Sequence, residues 1–68
     1  MSDFVAKKLK DLRLKNGETQ QQLADAIGVT AMAISKYENG LAVPSDDNKI
    51  KIARHYNESV EDIFFRPA

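Results

Sequence analysis

Apolar positions recur at three- and four-residue spacing along the chain, and turn signals at Asn16-Gly17, Gly28, Asn39-Gly40, Pro44-Ser45 and Asn57 divide them into five short segments. Each segment reads as a helix. In the first, about Asp3 to Lys15, Val5, Leu9 and Leu12 fall on one face, Ala6 and Arg13 flank it, and most lysines lie away from it. Gly17 is its natural stop. The second opens at Thr19-Gln20-Gln21-Gln22, where Thr followed three residues later by Gln is a capping box. Leu23, Ala24 and Ile27 form its buried face, and Gly28 ends it with positive φ. The third opens at the N-cap Thr30, buries Ile34 and Tyr37, and stops at Gly40.

The fourth segment follows Pro44-Ser45. Asp46 and Asp47 suit the positive end of a helix dipole there, and Ile50, Ile52, Ala53 and Tyr56 are expected to form a broad apolar side. The fifth starts at Ser59, with Asp62 at the capping-box position and Val60, Ile63 and Phe64 buried; Phe65, beside Phe64, must face elsewhere. The local signals agree from start to end, so the expected fold is all-α, five short helices in one domain over residues 1–68.

Sixty-eight residues leave no room for a second domain. The chain has no Cys, which excludes a disulfide framework and a thiolate zinc site and fits a reducing cytosol. The single His55 makes no metal site by itself, and no nucleophile or orienting acid is placed around it, so neither a metal, a cofactor nor an enzymatic activity is expected. No apolar run approaches a membrane span, and lysines interrupt the first fifteen residues where a signal peptide would need an apolar core, so the expected location is the cytoplasm. Net charge is zero but uneven. Lys7, Lys8, Lys10, Arg13 and Lys15 crowd one segment, and Glu18, Asp25, Glu38, Asp46 and Asp47 follow, relieved by Lys36. A neutral total argues against a strong nonspecific nucleic-acid binder and leaves room for a local basic face.

Thr19 to Gly40 is the informative unit: helix, tight turn at Gly28-Val29, helix. Two short helices that cross steeply need a sharp turn, a small residue inside the first helix, which is Ala24, and an apolar plug after the turn, which is Val29. At this point the chain resembles a known family. The stretch "TQQQLADAIGVTAMAISKYENGLAVPS" is similar to the helix-turn-helix of the phage repressor and Cro proteins, the Xre-like transcriptional regulators. The matching skeleton is Thr19-Gln20, Leu23-Ala24, Ile27 to Thr30, Ile34 to Gly40 and Pro44-Ser45. The likeness extends to Leu12-Arg13 and to Ser59–Phe64.

The resemblance implies roles for single residues. Ala31, Met32 and Lys36, with Ser35 as their neighbour, align with positions that contact base edges. Thr19, Gln20, Thr30 and Asn39 align with positions near the DNA backbone, and free amides at a helix start attract phosphate. Arg13 and Glu38 match a pair that forms an internal salt bridge. Plainer readings stand beside these. Ala31 and Met32 also suit a solvated helix start or a protein partner, Lys36 an ordinary surface lysine, Gln20 a surface residue, and Ser35 a hydroxyl bonded back to its own helix. On charge alone Arg13 reads as a DNA contact.

Three features depart from the family's pattern. The loop Leu41-Ala42-Val43 is neutral where many relatives carry basic residues, and each lost phosphate contact lowers affinity and flattens the salt dependence. Asp46 and Lys49 stand at positions that are often apolar, so the start of the fourth helix is expected to be poorly buried. Glu18 replaces a common apolar or basic residue.

The resemblance thus implies a sequence-specific DNA-binding transcriptional regulator, a repressor that places its third helix in the major groove. It would act as a homodimer on a palindromic site of double-stranded DNA, with the fifth-helix region, Phe65, Arg66 and Pro67, as the candidate dimer surface. With so short a chain, switching is expected from a partner protein, concentration or modification. The alternative is a protein-interaction module of the same fold, an antitoxin or adaptor.

Overall fold

The computed structural model describes residues 2–65, and Arg66 and Pro67 lie outside them. Five helices follow in order: α1 (Ser2–Lys15), α2 (Gln20–Ile27), α3 (Ala31–Glu38), α4 (Asp46–Tyr56) and α5 (Glu61–Phe65), the last wound as a short π-helix. No strand occurs among the described residues, and no helix among them is long and apolar enough to cross a membrane.

Side-chain caps start the central helices. Thr19 Oγ1 accepts from the Gln22 amide at 3.0 Å while Gln22 Oε1 accepts from the Thr19 amide at 2.8 Å, a complete capping box. Thr30 caps α3 through the Ala33 amide and Ser45 caps α4 through the Asn48 amide. Ser59 Oγ accepts from the Asp62 amide at 3.0 Å ahead of α5. Two residues at φ +76° and +55° end helices in the left-handed region: Gly28 after α2, which costs glycine nothing, and Asn57 after α4, one of the few side chains that tolerates it.

Each helix sends one large side chain to full burial in a shared core: Leu9 from α1, Leu23 from α2, Ile34 from α3, Ile52 from α4 and Ile63 from α5. Val5, Leu12, Ala24, Ile27, Tyr37, Ala53 and Phe64 complete the core. The helix pair α2–α3 packs together, α1 lies against α3 and α5, and α2 also meets α4.

The fourth helix differs from its sequence reading. Ile50 is 43% exposed and does not share the face of Ile52, because two residues turn a helix by about 200°. The inner face instead runs Lys49, Ile52, Ala53, Tyr56, the i, i+3, i+4, i+7 set. Lys49 stands at a position expected to be poorly buried, yet its side chain is only 16% exposed, and its Nζ lies 5.7 Å from the centre of the Phe64 ring and 4.9 Å from that of Phe65. A lysine stem covers apolar surface while its ammonium rests over aromatic faces. Asp46, by contrast, stays in solvent. Val60 is half-buried against the core rather than inside it, and Phe65 is exposed.

Candidate nucleic-acid interface

Helix α3 separates cleanly into two faces. Ile34 and Tyr37 are buried and hold it to the core, with Ala33 packed beside them. The opposite face carries Ala31, Met32, Ser35 and Lys36. Met32 is 69% exposed, Lys36 is exposed, and Ala31 and Ser35 are half-buried. With Thr30 capping the helix through the Ala33 amide, the amides of Ala31 and Met32 have no carbonyl within the helix to bond. This face therefore offers a methyl, a thioether chain, a hydroxyl, an ammonium and two backbone donors.

The side chain of Asn39 turns inward. Its Nδ2 donates to the Ser35 carbonyl at 2.8 Å and to Ser35 Oγ at 3.2 Å, closing the end of α3. In this conformation the amide hydrogens serve the helix rather than an outside anion, while Ser35 keeps its own hydroxyl proton to donate.

Beside α3 lies the start of α2. Thr19 is exposed, and the amides of Gln20 and Gln21 lack intrahelical partners. Gln20 Nε2 donates to Glu38 Oε1 at 3.2 Å, which fixes the carboxamide and leaves its second N–H available. Gln21 is occupied locally, donating to Asp25 at 2.8 Å.

Arg13 and Glu38 tie this region together from within. Arg13 Nε donates to Glu38 Oε2 at 2.6 Å and Nη2 to Oε1 at 3.1 Å, a two-point pair with side chains 10% and 3% exposed. The remaining guanidinium nitrogen, Nη1, donates to the Glu18 carbonyl at 2.7 Å. The hydrogen bond to Glu38 raises the Arg13 pKa despite desolvation. Arg13 therefore has its charge spent inside the protein and joins α1, the α1–α2 loop and α3.

The sequence reading missed a second cluster. The Glu18 carboxylate accepts from the Tyr56 hydroxyl at 2.7 Å through Oε1 and meets His55 Nε2 through Oε2. The two rings pack edge to face with centroids 4.8 Å apart. Burial and the Glu18 hydrogen bond push the Tyr56 phenol well above its ordinary range, so it stays a donor. These partners stand 37 and 38 positions apart, and the signal in the sequence was indirect: Glu18 was out of character for its position. Among the described residues every buried side-chain nitrogen and oxygen has a partner, and no group of three or more His, Cys, Asp or Glu is placed to hold a metal.

Residues 9–63 match the family model for the helix-turn-helix. The HTH-type transcriptional regulator YgzD of Bacillus subtilis, itself uncharacterized, is 34% identical over 58 residues, covering 85% of this chain and 88% of its own length. An uncharacterized HTH-type transcriptional regulator of Archaeoglobus fulgidus is 40% identical over 57 residues, 84% of this chain and 80% of its own. The cryptic phage CTXphi transcriptional repressor RstR of Vibrio cholerae is 32% identical over 59 residues, 87% of this chain but 53% of its own length.

Proposed function

We propose, on the premise that this chain belongs to the helix-turn-helix family of phage-repressor (Xre-like) type, that it binds double-stranded operator DNA and regulates transcription, acting as a repressor. The observation that carries this reading is the division of α3: Ile34 and Tyr37 hold it from one side, and Ala31, Met32, Ser35 and Lys36 stand outward on the other. Inserted in a major groove, Ala31 and Met32 meet thymine methyls, Ser35 donates to a base acceptor and Lys36 reaches guanine. The start of α2, with Thr19, the second N–H of Gln20 and two free amides, receives a phosphate. Thr30 presents its hydroxyl beside the same backbone. Asn39 joins them by releasing Ser35.

One short helix of this composition makes few two-point base contacts, so specificity per half-site is modest and duplication supplies the rest. We place two copies on a palindrome with half-sites about 34 Å apart. The exposed Phe65 borders a shallow groove with Ile50 and Val60, edged by Asp46 and Lys49, and this α4–α5 face is the dimer surface of the proposal. Such a regulator works in the cytoplasm, on the same DNA that encodes its targets.

The second reading, a protein-interaction module, draws on Leu41 and Val43, which are 76% and 56% exposed in a loop without basic residues. Selection of duplexes from a random pool at modest salt separates the two. A palindromic consensus that Lys36→Ala and Met32→Asp lose is the expected result for a DNA reader. Failure of the folded protein to enrich any sequence would favour the interaction module.

A further inference from the structure

Three glutamines open α2, and each side chain goes a different way. Gln22 accepts from the Thr19 amide to close the capping box, and Gln21 donates to Asp25 one turn on, so both stay within their own helix. Of the three, Gln20 crosses to another helix. Its Nε2 donates to Glu38 Oε1 at 3.2 Å, 18 positions on, at the end of α3. The direction of that bond is forced. A carboxylate only accepts, so the amide nitrogen of Gln20, and not its carbonyl, turns to Glu38. Glu38 is fixed in turn: its side chain is 3% exposed and is gripped at both oxygens by Arg13, at 2.6 and 3.1 Å. The guanidinium offsets the carboxylate's charge, so the anchor holds Gln20 without setting an uncompensated negative charge beside it. Gln20 itself is half-buried, with one N–H committed to this anchor and the other left over.

We propose that Glu38 is a positioning residue of the DNA contact: from inside the core it holds the Gln20 carboxamide, so that the remaining N–H takes a phosphate at the start of α2 without first having to be ordered. A free glutamine side chain loses rotamer freedom when it binds, and one already held by Glu38 has lost that freedom on folding. The buried pair thereby has a second role. Arg13 fixes Glu38, Glu38 fixes Gln20, and the end of α3 and the start of α2 are joined into one rigid contact surface. The inference rests on the DNA-binding reading above and names what orients one residue of that site.

The test is a set of affinities of the full chain for a pool-selected duplex, by fluorescence anisotropy well below each variant's melting temperature. Gln20→Met keeps the length of the side chain and removes its polar group. In the otherwise wild-type chain it should weaken binding about three- to tenfold, the scale of one hydrogen bond made without an ordering cost. In an Arg13→Met, Glu38→Leu background, which has no acceptor for Gln20, the same change should weaken binding by less than about twofold. In an Arg13→Met, Glu38→Gln background, whose new amide carbonyl can accept from Gln20, the larger loss should return. A purely structural role for Glu38 shifts stability but leaves the effect of Gln20→Met the same in all three backgrounds, and that result overturns the proposal. So does the absence of any effect in the wild-type background. A measurement on the unaltered chain covers the case of a variant that does not fold. The order parameter of the Gln20 carboxamide in the free protein, from nitrogen relaxation, should approach the ~0.85 of rigid backbone, and a value below about 0.6 overturns the proposal. If the folded wild type binds no duplex, the DNA reading fails and takes this inference with it, whereas equal effects in the three backgrounds sink the inference alone.

Discussion

Two clusters of polar side chains join the helices around the start of α2, and they differ in how far water reaches them. Arg13 and Glu38 form a two-point ion pair with side chains 10% and 3% exposed. Glu18 and His55 meet at 17% and 29%, with Tyr56 completing the set. In the first, both charges have left water, and each is tolerable only because the other is present. In the second, water reaches both side chains in part, so the loss of one partner strands the other less completely. The buried pair is therefore a fixture, whereas the wetter cluster is adjustable, and the Arg13 Nη1 bond to the Glu18 carbonyl makes them neighbours.

The sharpest way to break this contrast is Arg13→Met. Leaving Glu38 buried and unpaired should cost about 3–5 kcal/mol, a large share of the ~3–10 kcal/mol expected of a domain this size. Urea denaturation would read the loss, and pool selection at low temperature should still return the wild-type base preference. Replacing both partners, Arg13→Met with Glu38→Leu, should recover much of the stability, since no buried charge is then orphaned. A double variant as unstable as the single one would remove the distinction drawn here.

Tyr56→Phe should cost less, about 1 kcal/mol for one hydrogen bond at neutral pH. Its pH dependence carries a definite sign. The folded phenol is pushed above its ordinary value, chiefly by burial and then by Glu18. The unfolded phenol ionises from about pH 10. The stabilisation is thus complete below about pH 10 and is lost as pH rises beyond it. The stability gap between wild type and Tyr56→Phe should narrow through that range, as followed by urea midpoints.

His55→Gln should change least. Glutamine keeps an N–H donor for the Glu18 carboxylate, so the unfolding free energy should stay within about 0.5 kcal/mol of wild type. A loss as large as that of Arg13→Met would place this cluster with the buried pair.

The same contrast explains what could be read from the chain. The caps at Thr19, Thr30 and Ser45 and the stop at Gly28 bond within three or four residues, so their partners are visible in sequence order. The inward faces of α2 and α3 follow from spacing alone. The Lys49 and Ile50 exchange was not legible, because a lysine scores as polar whatever its stem covers, and the aromatic rings that receive it stand fifteen residues away or more. The Glu18 cluster was hidden for a stronger reason: its hydrogen bonds join a loop to a helix end 37 and 38 positions on, and no local pattern encodes them. The inward turn of Asn39 depends on a rotamer, which residue identity does not specify.

The meeting of Leu9, Leu23, Ile34, Ile52 and Ile63 in one core has a consequence for how such a regulator would be removed. With a large, fully buried residue contributed by every helix, the departure of any one helix uncovers part of the interior of the others. A cut between helices is therefore expected to open the interior that the five described helices share. An opening that detached α3 would uncover the core that packs on Ile34, and a protease that catches that state is expected to cut into core segments. Occupancy of a binding site would then track synthesis and degradation with no partially active remnant in between.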